Sequence, residues 1–227
     1  CLYKGANGTT VATDSSRAII LRDLGLDNST RFIFFVEDRA SREFARLWLN
    51  KNDAGLANVS EIIDVGSESS ITSICKAVPA PTKDVRLIAL YDADSRNRVI
   101  SAKPKRNKVD HKPTHTKKSG HFSVNGSNTI ASCFLPGTLC IEEEFREATA
   151  TGIKKLSESL GRTSESVEVC LSSLRGKEKH DWLEDLVKIL DVQYSTLMHF
   201  LFEIWLEHGN NRELSNSSFS ELRSFID

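Results

Sequence analysis

Two short apolar runs, each ending in acid, constrain this chain more than anything else in it. VRLIALYDAD, residues 85 to 94, and RFIFFVED, residues 31 to 38, are continuous and rich in β-branched and aromatic side chains. Runs of that kind are strands buried on both faces of a parallel sheet. Ligands of such sheets bind outside the carboxyl ends of the strands, where Glu37, Asp38, Asp92 and Asp94 fall. Residues two apart on a strand share a face, so Asp92 and Asp94 converge on one cation if the pleat continues that far.

The segments between and after these runs fit the same layout. DRASREFARLWLNKN places Phe44, Leu47 and Trp48 at helical spacing, with Asp38 or Ser41 able to cap. NVSEIIDVGS, residues 58 to 67, reads as a second strand, and ESSITSICKAVPAP as a second helix stopped by Pro79 and Pro81. The order β-α-β-α-β builds a parallel, helix-covered sheet through right-handed crossovers. TIASCFLPG, residues 129 to 137, returns to a strand, and IEEEFREAT opens a helix with Glu142, Glu143 and Glu144. The remainder is helical, with Leu174, Trp182, Leu186, Leu190, Leu197, Leu201 and Trp205 at spacings near three and four, and SSFSELRSFID as a last short helix. Residues 1 to 14 look like the tail of another segment, followed by a helix, RAIILRDLGL, capped by Ser15 or Ser16 and ended at Gly25. The expected class is α/β, with a parallel sheet flanked by helices. Its expected divisions are a lead-in over 1–30, an α/β domain over 31–150 with an insertion at 95–128, and a helical C-terminal region over 151–227.

That insertion breaks the pattern. Between Arg96 and His121 it has nine Lys or Arg against one acid, Asp110, and no apolar periodicity. Alone it is a solvated basic loop or a strongly twisted hairpin. Beside a carboxylate cluster, the same charges suggest an anionic polymer led toward a metal site. The expected nucleic-acid contacts are Arg96, Arg98, Lys103, Lys105, Arg106, Lys108, Lys117 and Lys118. With a formal net charge of -1 over 227 residues, affinity for nucleic acid has to come from such local clustering.

Carboxylates gathered at adjacent strand ends repel one another unless a positive charge sits among them. Oxygen donors without Cys or His select hard cations, here Mg²⁺ or Mn²⁺. Such a cation beside a basic channel suits phosphodiester cleavage. The competing explanation is that Asp38 and Asp94 only cap helices. The five cysteines are odd in number without C-x-x-C spacing, which favours reduced thiols and a cytoplasmic location. His111, His115, Cys133 and Cys140 fit no common zinc module. No segment is apolar enough for a membrane span, and no G-x-x-x-x-G-K-[ST] phosphate loop occurs.

An apolar strand ending in glutamate, a helix, and a later strand ending in D-x-D resemble the TOPRIM domain, over about Arg31 to Glu144. With TTVATDSSRAIILRDLG before them and LPGTLCIEEEF and GKEKHDWL after, the chain looks most like the nuclease modules of the OLD family, including those of anti-phage defence. The resemblance implies a TOPRIM-like, Rossmannoid sheet and an endonuclease with two Mg²⁺ or Mn²⁺ ions. Glu37, Asp92 and Asp94 would be metal ligands, and a glutamate of the 142 to 144 run would assist a second metal. Lys177 or Lys179 would supply positive charge. The usual TOPRIM glutamate precedes glycine, whereas here Asp38 follows it and offers a further ligand. Glu142 is the expected member of its run, because it follows Ile141 at the strand-to-helix corner. The implied partners are DNA or RNA and an ABC-type ATPase, fused or separate, and a homodimer is compatible with the reading. Two alternatives stay open. One is a non-catalytic TOPRIM-like binding or assembly module. The other is a phosphoacceptor receiver domain, which Lys103 fits poorly because it lies only eleven residues after Asp92.

Overall fold

The computed structural model describes residues 2–5, 8–11, 30–77, 85–96, 120–124 and 128–226. The lead-in helix, Pro79 and Pro81, and Arg98 through Lys118 lie outside the described residues. Strands β1 (Leu2–Gly5) and β2 (Gly8–Val11) pair antiparallel as a two-stranded ribbon. The main sheet is built from β3 (Phe32–Val36), β4 (Ser60–Asp64), β5 (Arg86–Tyr91), β6 (Gly120–Val124) and β7 (Asn128–Phe134), in the order β4-β3-β5-β7-β6. β4, β3, β5 and β7 are parallel, and β6 closes one edge antiparallel to β7. The insertion therefore ends in a hairpin strand.

Alternation within the apolar runs separates two cores. Phe34, Val36, Ile88 and Leu90 face one side, and Ile33, Phe35, Leu87, Ala89 and Tyr91 face the other. The first side is covered by α1 (Arg39–Asn52), α4 (Ile141–Thr151), α7 (Lys179–Leu190), α8 (Tyr194–Glu207) and α9 (Asn211–Ile226). Between them lie α5 (Ile153–Leu160) and α6 (Ser164–Ser173), and α2 (Ala54–Asn58) is a short turn after α1. The second side is met by α3 (Glu68–Ala77) through Ile71 and Ile74. The chain steps from β3 out to β4 with α1 on one face, then back across β3 to β5 with α3 on the other. Opposite travel with helices on opposite faces keeps both crossovers of one hand.

The α/β class, the helix-flanked parallel sheet and the helical C-terminal part are as the sequence leads one to expect. Every residue of the tail's apolar stripe is buried, from Leu174 to Trp205. Phe44 sits at its centre, edge-on to Phe202 and Trp205 at 5.3 and 4.9 Å between ring centroids. The last helix begins at Asn211, earlier than the sequence suggests. Strand β5 stops at Tyr91, before its acids.

Candidate functional site

The carboxyl ends of β3, β5 and β7 are neighbours, and each is followed by acid. Glu37 and Asp38 follow β3, and Asp92 and Asp94 follow β5. A loop after β7 leads into α4, whose first turn holds Glu142, Glu143 and Glu144. The Leu135 N–H donates to the Tyr91 carbonyl at 2.8 Å, carrying the β5/β7 pairing to the edge of the site.

Asp92 is the buried centre, only 3% exposed. Its Oδ1 accepts a 2.6 Å hydrogen bond from the Ser41 hydroxyl. The Ser41 N–H donates to Asp38 Oδ1 at 2.9 Å, the N-cap bond of α1. One serine thus joins the ends of β3 and β5. Burial pushes the Asp92 carboxyl well above the usual range. The Ser41 bond opposes that shift, and the charges of Asp38, Glu37 and Glu142 add to it. Three sequence-identified carboxylates therefore act electrostatically on a fourth, Asp92.

Asp92 and Asp94 do not share a strand face. The pleat ends at Tyr91, and the backbone turns, with Ser95 N–H donating to the Asp92 carbonyl at 3.1 Å and Arg96 N–H to that of Ala93 at 3.2 Å. This corrects the D-x-D geometry expected from an extended strand: the turn leaves Asp92 buried and Asp94 half-buried. Asp94 lies in the field of Lys179, the first residue of α7. Burial pulls the Lys179 ammonium down, but Cys140, Glu143 and Asp94 outweigh it, and the net shift is upward. Burial pushes the Cys140 thiol up to about 12, so at neutral pH Glu143 and Asp94 are the charges facing Lys179.

Side chains one apart on a helix diverge by about 100°, and the three glutamates accordingly face three ways. Glu142 is 4% exposed and acts on Asp92. Glu143 accepts from the Cys140 thiol at 3.3 Å, on the Lys179 side. Glu144 is structural. It accepts from the N–H groups of Thr138 and Leu139 at 2.6 and 2.9 Å and from the Trp205 indole at 2.8 Å. Gly137 makes room for it: φ is 125° there, and a Cβ would stand 2.6 Å from Glu144 Oε1.

The other sequence candidates separate. Lys177 is half exposed and pairs with Asp185 at 3.0 Å, directed along α7. Arg96 reaches Glu221 at 3.9 Å and lies 4.9 Å over the Phe134 ring. Lys103, Lys105, Arg106, Lys108, Lys117, Lys118 and Arg98 lie outside the described residues.

Sequence reasoning missed Ser41 as a partner of Asp92, Glu68, which accepts from Ser95 Oγ at 3.0 Å, and Tyr194. Burial pushes the Tyr194 phenol far up. Arg39, 3.8 Å over its ring, opposes that shift, while Asp38, Glu184 and Glu142 reinforce it. Only Ser41 carried a signal, its place three residues after an N-cap acid; nothing in sequence brings Tyr194 beside Asp38.

The donor chemistry fits a hard divalent cation, since the groups around Asp92 are carboxylates. Among the described residues, however, no three His, Cys, Asp or Glu side chains stand close enough together to hold a metal ion as they are. Mg²⁺ is commonly held by one or two carboxylates together with several waters, so an edge of this kind can take the ion without a ready group of three.

Among the described residues no helix is long and apolar enough to cross a membrane. No family model and no curated protein matches the sequence. Among solved structures, the chain is similar to the C-terminal region of the Xanthomonas campestris pv. campestris OLD protein, with 14% identity, 87% of this chain and 96% of that one covered, and a TM-score of 0.43. It is also similar to the C-terminal region of the Burkholderia pseudomallei OLD protein, with 15% identity, 87% and 99% covered, and a TM-score of 0.44.

Proposed function

We propose that this chain is a divalent-metal-dependent nuclease module that cleaves phosphodiester bonds of DNA or RNA. The observation that carries the reading is the field of Glu37, Asp38 and Glu142 on buried Asp92 at the carboxyl edge of a parallel sheet. Such a concentration of negative charge favours a cation. Glu37, Asp92, Asp94 and Glu142 are the proposed holders of Mg²⁺ or Mn²⁺, with Asp38 as a further oxygen donor beside its cap. When bound, the cation supplies Lewis-acid assistance to a phosphodiester and its attacking water. Ser41 holds the Asp92 carboxylate in one orientation through its 2.6 Å bond. Lys179, cationic and facing Asp94 and Glu143, balances charge developing on the phosphoryl oxygens. The basic insertion leads the polymer to this edge. Because no phosphate loop occurs in the sequence, we assign nucleotide-dependent control, as in an anti-phage defence system, to an ABC-type ATPase, fused or separate.

The test is incubation with plasmid, single-stranded DNA and tRNA in Mg²⁺, Mn²⁺ or EDTA. Cleavage in metal and none in EDTA is the expected result, lost in Glu37→Ala, Asp92→Ala and Asp94→Ala. A second reading is a non-catalytic nucleic-acid-binding or assembly module, in which the acids around Asp92 hold no cation. Calorimetry showing no Mg²⁺ or Mn²⁺ binding at millimolar levels would select it.

A further inference from the structure

Lys179 is not the only cation at the acidic edge. Arg39 follows the cap acid Asp38 as the first residue of α1. Its guanidinium carbon lies 3.8 Å from the centre of the Tyr194 ring, and its Nη1 donates to Glu184 Oε1 at 3.1 Å. Those two partners belong to α8 and α7. Asp94 and Glu143 act on Lys179, whereas Asp38 and Glu142 act on Tyr194, beneath Arg39. Different acids of the cluster thus have Lys179 and the Arg39–Tyr194 pair beside them.

The two contacts of Arg39 differ in kind. Tyr194 is 9% exposed and fixed in the first turn of α8, so its ring is a rigid support for a cation. The bond to Glu184 is easily given up, because the two side chains are 51% and 47% exposed and ion pairs in water contribute little. Glu184 is also the only hydrogen-bond acceptor that Arg39 has among the described residues. A guanidinium carries five N–H donors in a planar fork that matches a phosphate, and most of this fork is unused. Its exposure sets its place at the rim, while Asp92 at the centre is buried.

We infer that Arg39, supported by Tyr194, binds a backbone phosphate adjoining the one at the acids, and that this phosphate displaces Glu184. The substrate is then a run of consecutive phosphodiesters rather than a single one. Resting on the nuclease reading, which brings a polynucleotide to this edge, the assignment is independent of the basic insertion.

The test compares Arg39→Gln with Glu184→Gln in the intact chain. Each variant loses the same ion pair, so a purely structural pair gives the two the same behaviour, and a phosphate site gives them opposite behaviour. Affinity for short, fluorescein-labelled single strands of DNA and RNA is measured by anisotropy over a salt series in EDTA. Arg39→Gln should bind roughly three- to tenfold more weakly and flatten the dependence of log affinity on log salt by about 0.7. Glu184→Gln should bind more tightly than the parent. Glu203→Gln makes the same change of charge but frees Lys51, at the far end of α1, and should bind like the parent. In Mg²⁺, Arg39→Gln should raise KM with little change in kcat, the reverse of Lys179→Ala. Parent-like affinity and slope in Arg39→Gln, weakened binding in Glu184→Gln, equal tightening by Glu203→Gln, or no binding by the parent would each overturn the inference, whether or not metal-dependent cleavage is seen. A parent that binds with these differences but cuts nothing in Mg²⁺ or Mn²⁺ would overturn the nuclease reading and keep the phosphate site.

Discussion

At the scale of single residues, Asp92 is the group whose behaviour is most readily tested. The folded state holds its carboxyl proton more tightly than an unfolded chain does, because burial and then its charged neighbours, against Ser41, raise the folded pKa above 3.8. Its stabilising protonation is therefore complete below about pH 4 and is lost as pH rises through the raised folded value. Asp92→Asn keeps an acceptor for Ser41 and removes the charge. In EDTA at pH 7 this variant should be more stable than the parent by on the order of 1 kcal/mol or more, with the gap closing near pH 4. Chemical denaturation across that range measures it, and equal stability at pH 7 would contradict the charge crowding described. Millimolar Mg²⁺ should raise the Tm of the parent and leave that of Asp92→Asn almost unmoved. The two lysines give a second contrast. Lys179→Ala should slow turnover roughly 100-fold with little loss of substrate binding, while Lys177→Ala, which breaks only an exposed pair with Asp185, should cleave like the parent. Steady-state kinetics on one substrate separates the two.

At the scale of elements, helix α4 divides its three acids among three tasks. Glu144→Ala should cost about 3 kcal/mol or more, because it strands two loop N–H groups and a buried indole N–H. Glu142→Ala in EDTA should cost clearly less than Glu144→Ala, since it also relieves the charge on Asp92. Thermal denaturation of the two variants side by side gives the comparison, and similar losses would refute the division. Much of this architecture is legible in the sequence, because unbroken β-branched and aromatic runs such as FIFFV and LIALY have few folds open to them. The helix cap at Asp38 follows from its offset to Ser41, and helical rotation accounts for Glu142, Glu143 and Glu144 facing three different ways. What fails is the D-x-D geometry. An apolar pattern marks where a strand is buried, but the hydrogen bonds that end β5 at Tyr91 are made by backbone, which every residue has. The structural role of Glu144 is equally hidden, since Trp205 is 61 residues away and met only through tertiary packing.

At the scale of the whole molecule, the proposal joins a near-neutral protein to a polyanion through one concentrated segment. If Lys103, Lys105, Arg106, Lys108, Lys117 and Lys118 contact phosphates, their joint replacement by Ala should weaken binding equally on unrelated sequences. It should also flatten the dependence of log affinity on log salt by roughly one unit per lost contact. Fluorescence anisotropy over a salt series measures the slope, and an unchanged slope returns the segment to a solvated loop. The bond from Trp205 to Glu144 has a different kind of consequence, for dissection. All the proposed carboxylate ligands lie before residue 150, and a shortened version ending there would keep each of them. It would lack the indole that holds Glu144, and with it the anchor of the loop between β7 and α4. The smallest working unit therefore cannot be drawn around the acids alone, and any transplant or fusion must carry the helical tail as part of the cutting edge.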